Sequence, residues 1–292
     1  MTEALPRVGV AVLNYRGADD TLACLASLRR LDTTATSEVR VIVVDNGSGD
    51  GSVARLRAAA ADPGNLAAID LVEHPTNVGF GAGNNEAIER LLADRVDFVW
   101  LLNNDATVEP ATLRALLAAA GDARVGIVGS VIFHADRPDA VQTWGGGSVS
   151  LRSGRTLDAT GPGQRVDYIT AASALVRATA LEDVGAFDPA YFFLYEDVDL
   201  GLRLRRRGWR MAVADEARVW HRGGGTSPAR SPERMEHHAA GLVTLLRKHA
   251  RHPRRAALPM LGYYAWLSVR ERTPVLALAA WRGWRSGWRS PS

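Results

Sequence analysis

The stretch LLNNDATVEP places three polar side chains directly after an apolar run. Asn103, Asn104 and Asp105 follow five apolar residues, which is the pattern of a buried strand that ends abruptly. Amides and carboxylates at a strand end can hydrogen-bond a polar ligand, and carboxylate oxygens also bind hard divalent cations. One carboxylate is a small charge for a metal ion, so the stretch alone does not decide between these two roles.

A second acidic group lies in YFFLYEDVDLGLRLRRRGW. Glu196, Asp197 and Asp199 come before apolar residues at helical spacing, so we expect them in the first turn of a helix that Gly208 ends. The helix dipole favours anions there. Two interpretations follow: the acids cap the helix, or one of them is a general base that accepts a proton from a substrate.

Polar residues follow three other predicted strands. The first strand ends in Asn14 and Tyr15, the second leads into VVDNGSGDGS, and the third leads into NVGFGAGNN. Each of these alone has the composition of an ordinary turn. Four polar strand ends are hard to explain as turns only, because ligands on parallel sheets bind at the carboxyl ends of strands. We therefore expect the four ends to converge on one crevice.

Alternating apolar runs and helical stretches position these residues. The runs predict strands covered on both faces, and the stretches predict helices that begin at Asp or Ser caps. The strands are predicted over 8–15, 39–45, 66–74 and 97–103, and the helices over 19–31, 50–61 and 81–94. Such units build a mostly parallel sheet with right-handed crossovers.

The second half of the chain is less regular. It predicts strands with a Gly-rich bend, then a mobile loop, then a strand and a short helix, and finally helices towards the end of the chain. The ranges are 125–134 and 141–150 for the strands, 150–165 for the loop, 166–188 for the strand and short helix, and 231 onward for the last helices.

Length and composition predict a globular, cytoplasmic protein. With 292 residues, 47% of them hydrophobic, the chain can bury the core of one large or two modest domains. Cys24 is the single cysteine, which excludes a disulfide framework and a multi-Cys metal site and fits a reducing compartment. The N-terminal residues lack the pattern of a secretion signal, and no apolar window is long enough to span a membrane.

The net charge of +3 conceals a basic C-terminal region. From Arg247 onward ten Lys or Arg face one acid, Glu271, whereas the rest carries 25 basic and 31 acidic residues. Trp281, Trp284 and Trp288 recur there at helical spacing beside arginines. Two interpretations stay open: a helix lying on an anionic membrane surface, at its inner face, or a helix packed on the catalytic domain or on a second subunit of a homodimer. This Trp-rich pattern argues against nucleic-acid binding.

Six stretches in order resemble family 2 glycosyltransferases with the GT-A fold, in particular bacterial rhamnosyltransferases of cell-wall and polysaccharide assembly. They are VLNYRGADDTLACLASL, VVDNGSGDGS, NVGFGAGNN, LLNNDATVEP, GAFDPAYFFLYEDVDLGLRLRRRGW and VWHRGGGTS, within about residues 7–227. The resemblance implies the α/β fold class, with a Rossmann-like mixed sheet flanked by helices and a helical C-terminal extension. The implied division is a catalytic domain over 1–230, with a nucleotide-sugar half over about 1–125 and an acceptor half over about 126–230, and an extension over 231–292.

The resemblance implies inverting transfer of a sugar from a nucleoside-diphosphate sugar to a hydroxyl of a glycan, a lipid-linked sugar or another acceptor. The leading donor is dTDP-L-rhamnose, with UDP-sugars as the alternative. Asp45 would accept from the pyrimidine ring, Gly79, Gly81 and Gly83 would let the backbone approach the ligand, and Asn84 or Asn85 would hydrogen-bond it. The expected nucleotide-sugar set is Asn14, Tyr15, Asp45, Asn46, Gly79, Asn84, Asn103, Asn104 and Asp105.

The resemblance also implies a divalent cation, Mg²⁺ or Mn²⁺, that bridges the diphosphate oxygens. Asp105 matches the last residue of the family's Asp-x-Asp element, and Asn103 replaces the first aspartate. Because this removes one negative charge, we expect weak metal binding until the nucleotide sugar adds its phosphates. His221 matches a second metal ligand of some relatives, and Arg222 beside it is an alternative partner for a phosphate.

For the reaction itself, the resemblance selects Asp197. The second acid of the family's Glu-Asp pair is the general base of inverting members, so Asp197 would take the proton of the acceptor hydroxyl. Glu196 or Asp199 would orient the acceptor. The arginines that follow are either a solvated helix face or contacts to a phosphorylated acceptor: Arg203, Arg205, Arg206 and Arg207.

Two other functions stay open. A nucleotidyltransferase that makes nucleotide sugars would carry a Gly-rich basic triphosphate loop after the first strand, where this chain has NYRGADD with one Arg and two acids. A non-catalytic nucleotide- or glycan-binding protein on the same fold is disfavoured by Asp105, Asp197 and His221.

Overall fold

The computed structural model describes residues 4–223, 231–270 and 272–289. These residues form a nine-stranded sheet, a three-stranded sheet and the helices around them. The strands are β1 (Arg7–Asn14), β2 (Glu38–Asn46), β3 (Ala68–His74), β4 (Phe98–Asn103), β5 (Ala106–Val108), β6 (Val125–His134), β7 (Arg137–Trp144), β8 (Gly146–Val149), β9 (Thr156–Asp158), β10 (Tyr168–Ile169), β11 (Ser173–Arg177) and β12 (Arg210–His221). The helices are α1 (Ala18–Leu28), α2 (Ser52–Ala60), α3 (Phe80–Ala93), α4 (Thr112–Ala119), α5 (Ala178–Val184), α6 (Glu196–Arg206), α7 (Pro232–His249), α8 (Pro253–Arg270) and α9 (Pro274–Arg289).

The predicted sheet is confirmed. β1 pairs in parallel with β2 and β4, and β2 pairs in parallel with β3, so the four polar strand ends share one edge. β11 runs antiparallel between β4 and β6, which makes the sheet mixed. The side chains of Val8, Val10 and Val12 are fully buried because helices cover both faces of the parallel half.

The predicted Asp and Ser caps are wrong for the first three helices. Their N-cap residues are Gly17, Gly51 and Gly79, and no side chain caps them. Gly51 has a φ of 86° and Gly79 a φ of 94°, so the chain enters α2 and α3 through left-handed backbone that favours glycine. Asp50 instead accepts hydrogen bonds from the amide and hydroxyl of Ser52 within the turn.

The second half departs from the prediction in detail. The strand expected over 141–150 divides at Gly145, whose φ is 79°, into β7 and β8. The expected loop over 150–165 contains β9, which pairs with β8. β12 lies parallel to β6, and its last residues pair antiparallel with β5. Of the stretch VWHRGGGTS, residues 224–227 lie outside the described residues.

The predicted C-terminal helices are confirmed as α7, α8 and α9. Met235, Leu242 and Leu246 of α7 form a core with residues of α8, α9 and α6. Trp284 and Trp288 pack against this core, whereas Trp281 has 45% of its surface exposed. None of the described helices is both long enough and apolar enough to cross a lipid bilayer.

Candidate active site

A short strand pairing brings Asp105 and His221 together. β5 follows β4 after a two-residue turn, and Ala106 pairs with His221 across β5 and β12. Asp105 Oδ1 therefore lies 3.1 Å from His221 Nε2, and Asp105 Oδ2 accepts from the Gly223 amide at 3.1 Å. Asn103, at the end of β4, places its Nδ2 3.1 Å from the same imidazole nitrogen.

This group of atoms fits a cation. Gln142 Oε1 lies 3.0 Å from His221 Nδ1, which places the proton of a neutral ring on Nδ1 and leaves a lone pair on Nε2. Nε2 and Asp105 Oδ1 are then two acceptors 3.1 Å apart, which repel unless a proton or a cation lies between them. Asn103 Oδ1 is buried without a hydrogen-bond partner and offers a third ligand atom.

The charge at this site is small. Burial raises the pKa of Asp105, but when a proton on His221 Nε2 bridges the two groups, its hydrogen bond and charge outweigh burial and bring the pKa of Asp105 below its usual value. Within the described ranges no cluster of three or more His, Cys, Asp or Glu could hold a metal ion. The Asp105–Asn103–His221 set is therefore a partial shell, of the kind that leaves positions for water or phosphate oxygens.

Asp197 lies at the start of α6 and is held by backbone amides. The Val198 amide donates to its Oδ1 at 2.8 Å, and the Ala171 amide donates to its Oδ2 at 3.3 Å. Burial nevertheless raises the pKa of Asp197, because the two amides only partly replace the lost water. A carboxylate with a raised pKa is a better proton acceptor near neutral pH than an ordinary one.

Glu196 is the buried neighbour of Asp197. Only 5% of its surface is exposed, and its Oε2 has no hydrogen-bond partner. Burial, followed by the charge of Asp197, raises the pKa of Glu196 to about 8. At pH 7 Glu196 is therefore mostly protonated, and the charge of Asp197 is one of the two reasons. Glu196 does not line the cavity that Asp197 faces, so its predicted role in orienting the acceptor gains no contact from this geometry.

The backbone before these acids is strained. Leu194 and Tyr195 have φ values of 73° and 74°, a left-handed conformation that costs non-glycine residues of order 1–3 kcal/mol each. α7 supports the segment, because a side chain at Gly241 would collide with the Leu194 carbonyl oxygen. The strain fixes how α6 begins and thus where Asp197 points.

Asp199 points away from this site. Its Oδ2 accepts from Arg203 at 2.7 Å, and its Oδ1 accepts from Tyr191 at 3.3 Å and lies 2.7 Å from His249 Nε2. Burial raises the pKa of Asp199, but these partners outweigh it and lower the pKa. With both oxygens engaged and 1% of its surface exposed, Asp199 joins α6 to α7 and has no oxygen left to orient an acceptor.

One cavity of about 240 Å³ contains both chemical groups. Asp197 and His221 line it together with residues that the sequence did not single out. Among the latter are Gln142, Tyr168 and Asp158, which lie in or beside the short strands of the second half. Their positions depend on long-range strand pairing, so no local pattern marked them. The predicted base and one predicted metal ligand thus face the same space.

His238 of α7 also lines the cavity. Its ring lies between two hydroxyls, with Nε2 3.1 Å from Tyr195 Oη and Nδ1 2.5 Å from Tyr264 Oη. Burial lowers the pKa of His238 to about 4, so the ring is neutral at physiological pH and can accept from one hydroxyl while donating to the other. The C-terminal helices therefore contribute to the wall of the site.

The predicted nucleotide-binding residues at the ends of β1 and β2 form a closed hydrogen-bond network. Asn14 Nδ2 donates to Asp45 Oδ1 at 2.7 Å and to Ser48 Oγ at 3.1 Å, and Asn14 Oδ1 accepts from Thr21 at 2.8 Å. Asp45 also accepts from the hydroxyl and the amide of Ser48. With 0% and 2% of their surfaces exposed, Asn14 and Asp45 hold the two loops, and only the second lone pair of Asp45 Oδ2 is left for a base.

The glycines before and within α3 allow close packing of the protein around them. Side chains at Gly79, Gly81 and Gly83 would collide with or crowd Phe192, Phe187 and Leu13. Their lack of a Cβ thus admits neighbouring parts of the protein at the entry to α3, and the expectation that their backbone also approaches the nucleotide stays a prediction.

The remaining predicted amides also hold backbone. Asn46 Nδ2 donates to the Gly79 carbonyl and Asn46 Oδ1 accepts from the Val78 amide. Asn84 Nδ2 donates to the Phe80 carbonyl within α3, and Asn85 bonds both the amide and the carbonyl of Phe187. Asn104 Nδ2 donates to Thr21 Oγ1 at 3.0 Å.

Two of the predicted ligand contacts, Tyr15 and Arg222, remain at the surface of the crevice. The Tyr15 ring is partly exposed, with the Arg16 guanidinium 5.2 Å from its centroid. The Arg222 guanidinium donates to Asp20 at 2.9 Å, so a phosphate would have to compete with that exposed ion pair.

Residues 6–241 match the family described as "Glycosyltransferase like family 2". The chain belongs to this family and is a glycosyltransferase.

Curated relatives come from Mycobacterium tuberculosis. The chain is 31% identical over 279 residues to N-acetylglucosaminyl-diphospho-decaprenol L-rhamnosyltransferase of strain H37Rv, and the alignment covers 86% of each of the two proteins. It is 32% identical over 202 residues to the pre-mycofactocin glycosyltransferase of the same strain, which covers 67% of this chain and 40% of that protein.

Solved structures confirm the GT-A fold. The mannosyltransferase PcManGT from Pyrobaculum calidifontis, in complex with GDP-Man and Mn²⁺, superposes with a TM-score of 0.64 at 18% identity and covers 100% of this chain and 89% of that chain. TarS 1-349 from S. aureus, in complex with UDP-GlcNAc, has a TM-score of 0.59 at 18% identity and covers 94% and 79%.

Proposed function

We propose that this protein is an inverting transferase that moves a sugar, L-rhamnose from dTDP-rhamnose in the first instance, to a hydroxyl of an acceptor. The observation that carries the proposal is the single cavity lined by Asp197, a carboxylate of raised pKa, and by His221, which contacts Asp105. The 31% identity to a rhamnosyltransferase supports the choice of sugar.

Asp197 acts as the general base. Its carboxylate accepts the proton of the acceptor hydroxyl while that oxygen attacks the anomeric carbon from the face opposite the diphosphate. The amides of Ala171 and Val198 hold the carboxylate in place, and protonated Glu196 avoids a second negative charge beside it. No acid has to protonate the leaving group, because a nucleoside diphosphate leaves as a stable anion.

Asp105, His221 and Asn103 Oδ1 are the ligands that we propose for Mg²⁺ or Mn²⁺. Mn²⁺ in the PcManGT complex supports a divalent cation on this fold. When bound, the cation would offset the negative charge of the departing diphosphate. We propose that the residues of the crevice beside β1 and β2 hold the nucleotide. The division of the catalytic domain near residue 125 stays a prediction.

We propose a sugar linked to a lipid through a diphosphate as the acceptor. The support is the similarity to the mycobacterial N-acetylglucosaminyl-diphospho-decaprenol L-rhamnosyltransferase, whose acceptor is a sugar of this kind. Such an acceptor would present its sugar to Asp197 and keep its lipid in a bilayer.

A test of the base begins with the donor. dTDP-rhamnose, UDP-glucose and GDP-mannose are compared for thermal stabilisation of the protein with Mg²⁺, and the best donor is used for turnover. Asp197→Asn should lower kcat by about 10²–10⁴-fold and leave donor binding unchanged. Asp158→Asn changes another carboxylate of the same cavity and serves as the control. Full activity of the Asp197 variant, or an equal loss in both variants, would remove Asp197 from the role of base.

The metal is tested by its removal. EDTA should abolish transfer, Mn²⁺ or Mg²⁺ should restore it, and Asp105→Asn should raise the Mn²⁺ concentration required. Transfer that survives EDTA with unchanged kcat would show that Asp105 and His221 serve the diphosphate without a metal.

The outer faces of α8 and α9 suit an anionic membrane. Large apolar side chains are exposed there: Val269 by 79%, Leu258 by 60%, Trp266 by 52% and Trp281 by 45%. The two helices carry six arginines and no Asp or Glu. A two-fold interface between copies would place arginine near arginine with no acid between them, whereas anionic lipids attract each arginine by about 1 kcal/mol. We therefore choose the membrane over the homodimer.

Vesicle flotation tests this choice. The protein should float with vesicles that contain phosphatidylglycerol and stay in solution with phosphatidylcholine alone. Trp266→Ala with Trp281→Ala should abolish flotation, and Leu157→Ala, at an exposed leucine of β9, should not. Unchanged flotation of the double variant, or a dimer in light scattering that the same two substitutions dissolve, would contradict the membrane proposal.

A further inference from the structure

A second hollow, of about 540 Å³, lies beside the C-terminal half of α6. Four arginines line it, two from α6 and two from the segments that flank β9: Arg205, Arg206, Arg152 and Arg165. Asp167 is the one acidic residue in its lining, so the hollow carries an excess of positive charge.

Not all of this positive charge is paired with acidic side chains of the described residues. Asp167 forms ion pairs with Arg165, at 2.9 Å, and with Arg205, and it also accepts from the Val149 amide. Its carboxylate therefore holds two of the four arginines in place. Arg152 and Arg206 are exposed and form no ion pair with any residue of the described ranges. Two unpaired guanidinium groups beside two positioned ones form a site for a doubly charged anion, because guanidinium groups bind phosphate oxygens in a planar, bidentate way.

One face of α6 connects this hollow to the catalytic cavity. Val198 lines the cavity, and Leu202, Arg205 and Arg206 line the hollow. These positions are four, seven and eight residues apart from Val198, which is the spacing of one helix face. At a rise of 1.5 Å per residue the two sites are separated by roughly 6–12 Å along the helix axis. The start of β10 connects them a second time, because Tyr168 lines the cavity and Asp167, the residue before the strand, lines the hollow.

We infer that the hollow of Arg152, Arg165, Arg205 and Arg206 binds the diphosphate of the acceptor while the acceptor's sugar hydroxyl lies beside Asp197. The inference rests on the proposed function for the identity of the acceptor. The diphosphate of the donor is the other source of such an anion, but its proposed partners, Asp105 and His221, do not line this hollow.

The test uses the double variant Arg152→Gln with Arg206→Gln in the full-length protein. These two arginines are chosen because replacing Arg165 or Arg205 would also remove one of the two ion-pair partners of the buried Asp167. Arg207→Gln is the matched control, since Arg207 is the next residue of the helix but pairs with Asp183 outside the hollow. The assay compares two acceptors that carry the same sugar. In one the sugar is linked to a short-chain lipid diphosphate, and in the other it is linked to an uncharged aryl group.

The double variant should raise KM for the diphosphate acceptor about tenfold, equivalent to about 1.4 kcal/mol, with kcat unchanged. KM for the uncharged acceptor and for the donor should not change, nor should any constant of the Arg207 variant. A rise in donor KM would assign the hollow to the donor, and an unchanged KM for the diphosphate acceptor would refute the inference.

A binding measurement separates this inference from the proposed function. Inorganic pyrophosphate is titrated into the protein by calorimetry in EDTA, which excludes a metal-dependent site. The wild type should bind it about tenfold more tightly than the double variant, even if no sugar is transferred. Equal affinities would overturn the anion site, whereas failure of sugar transfer with retained pyrophosphate binding would overturn only the proposed acceptor.

Discussion

Replacing Glu196 by Gln should remove a large pH dependence of protein stability. Glu196 is buried and next to Asp197, and these two causes, in that order, raise its pKa to about 8 from an ordinary value of 4.5. The folded protein therefore keeps a proton on Glu196 over a pH range in which the unfolded chain has lost it. Gln has the shape of the protonated acid and binds no proton, so the variant isolates this one titration.

The sign and size follow from proton linkage. Where the folded state binds the extra proton, the free energy of unfolding falls as pH rises, by roughly 1.4 kcal/mol per pH unit for one proton. For Glu196 this fall begins near the unfolded pKa and ends near the folded pKa of about 8, which amounts to on the order of 4–5 kcal/mol in total. Below the unfolded pKa both states hold the proton and the contribution is complete.

Urea unfolding of the wild type and Glu196→Gln at several values between about pH 5 and about pH 8 measures the effect. The wild type should lose stability relative to the variant as pH rises. Glu216→Gln, at an exposed glutamate of β12, should follow the wild type. Near neutral pH the variant should also keep its kcat, because Glu196 is then already neutral. Parallel stability curves for wild type and Glu196→Gln would refute the protonated Glu196 and the pairing that leaves Asp197 charged.

Three further predictions concern the metal site, the entry to α3 and the α6–α7 contact. Asn103→Asp should restore one negative charge and lower the Mn²⁺ Kd measured without nucleotide by about tenfold, or 1.4 kcal/mol; an unchanged Kd would show that residue 103 does not face the ion. Gly79→Ala should lower the free energy of unfolding by more than Gly49→Ala does. Both glycines have positive φ, but only a Cβ at Gly79 would meet a backbone oxygen. Equal losses of stability in the two variants would mean that only the backbone strain of about 1–2 kcal/mol contributes. His249→Ala should cost about 3 kcal/mol at neutral pH by leaving Asp199 one partner short. Since the pKa of Asp199 is lowered, its contribution is present above the unfolded pKa and is lost as pH falls below about 4. A variant whose deficit persists unchanged in acid would contradict the hydrogen bond between His249 and the Asp199 carboxylate.

The parallel half of the fold was predictable because its signals are local. Strands such as β1 are runs of apolar residues buried on both faces, and Asn103 and Asp105 mark the end of β4 by an abrupt change in polarity. The helix caps were not predictable in the same way. Gly17 and Gly51 are the N-cap residues of their helices, and no side chain caps either helix. The nearby Asp and Ser residues are common N-caps, so they predicted the helices correctly but the capping residues wrongly.

Roles that depend on distant partners could not be read from the sequence. Asp199 stands two residues from Asp197 and has the same local surroundings, yet His249, 50 residues away, binds its carboxylate. His238 reaches the cavity only because α7 packs on the segment before α6. In each case the deciding contact crosses between elements whose relative position follows from packing, and no local spacing encodes it.

The two sides of the proposed site differ in how far the protein satisfies its own polar atoms. Beside β1 and β2, Asn14 and Asp45 satisfy one another, so that crevice keeps its shape without a ligand. At the end of β4 and at the start of α6, by contrast, Asn103 Oδ1 and Glu196 Oε2 are buried without hydrogen-bond partners. Each such atom costs of order 1–3 kcal/mol in the folded protein. A bound cation would recover the cost at Asn103, and a proton reduces it at Glu196. The crevice proposed for the nucleotide is therefore closed by the protein's own hydrogen bonds, whereas two of the buried side-chain atoms without a partner lie beside the proposed metal ligands and the proposed base.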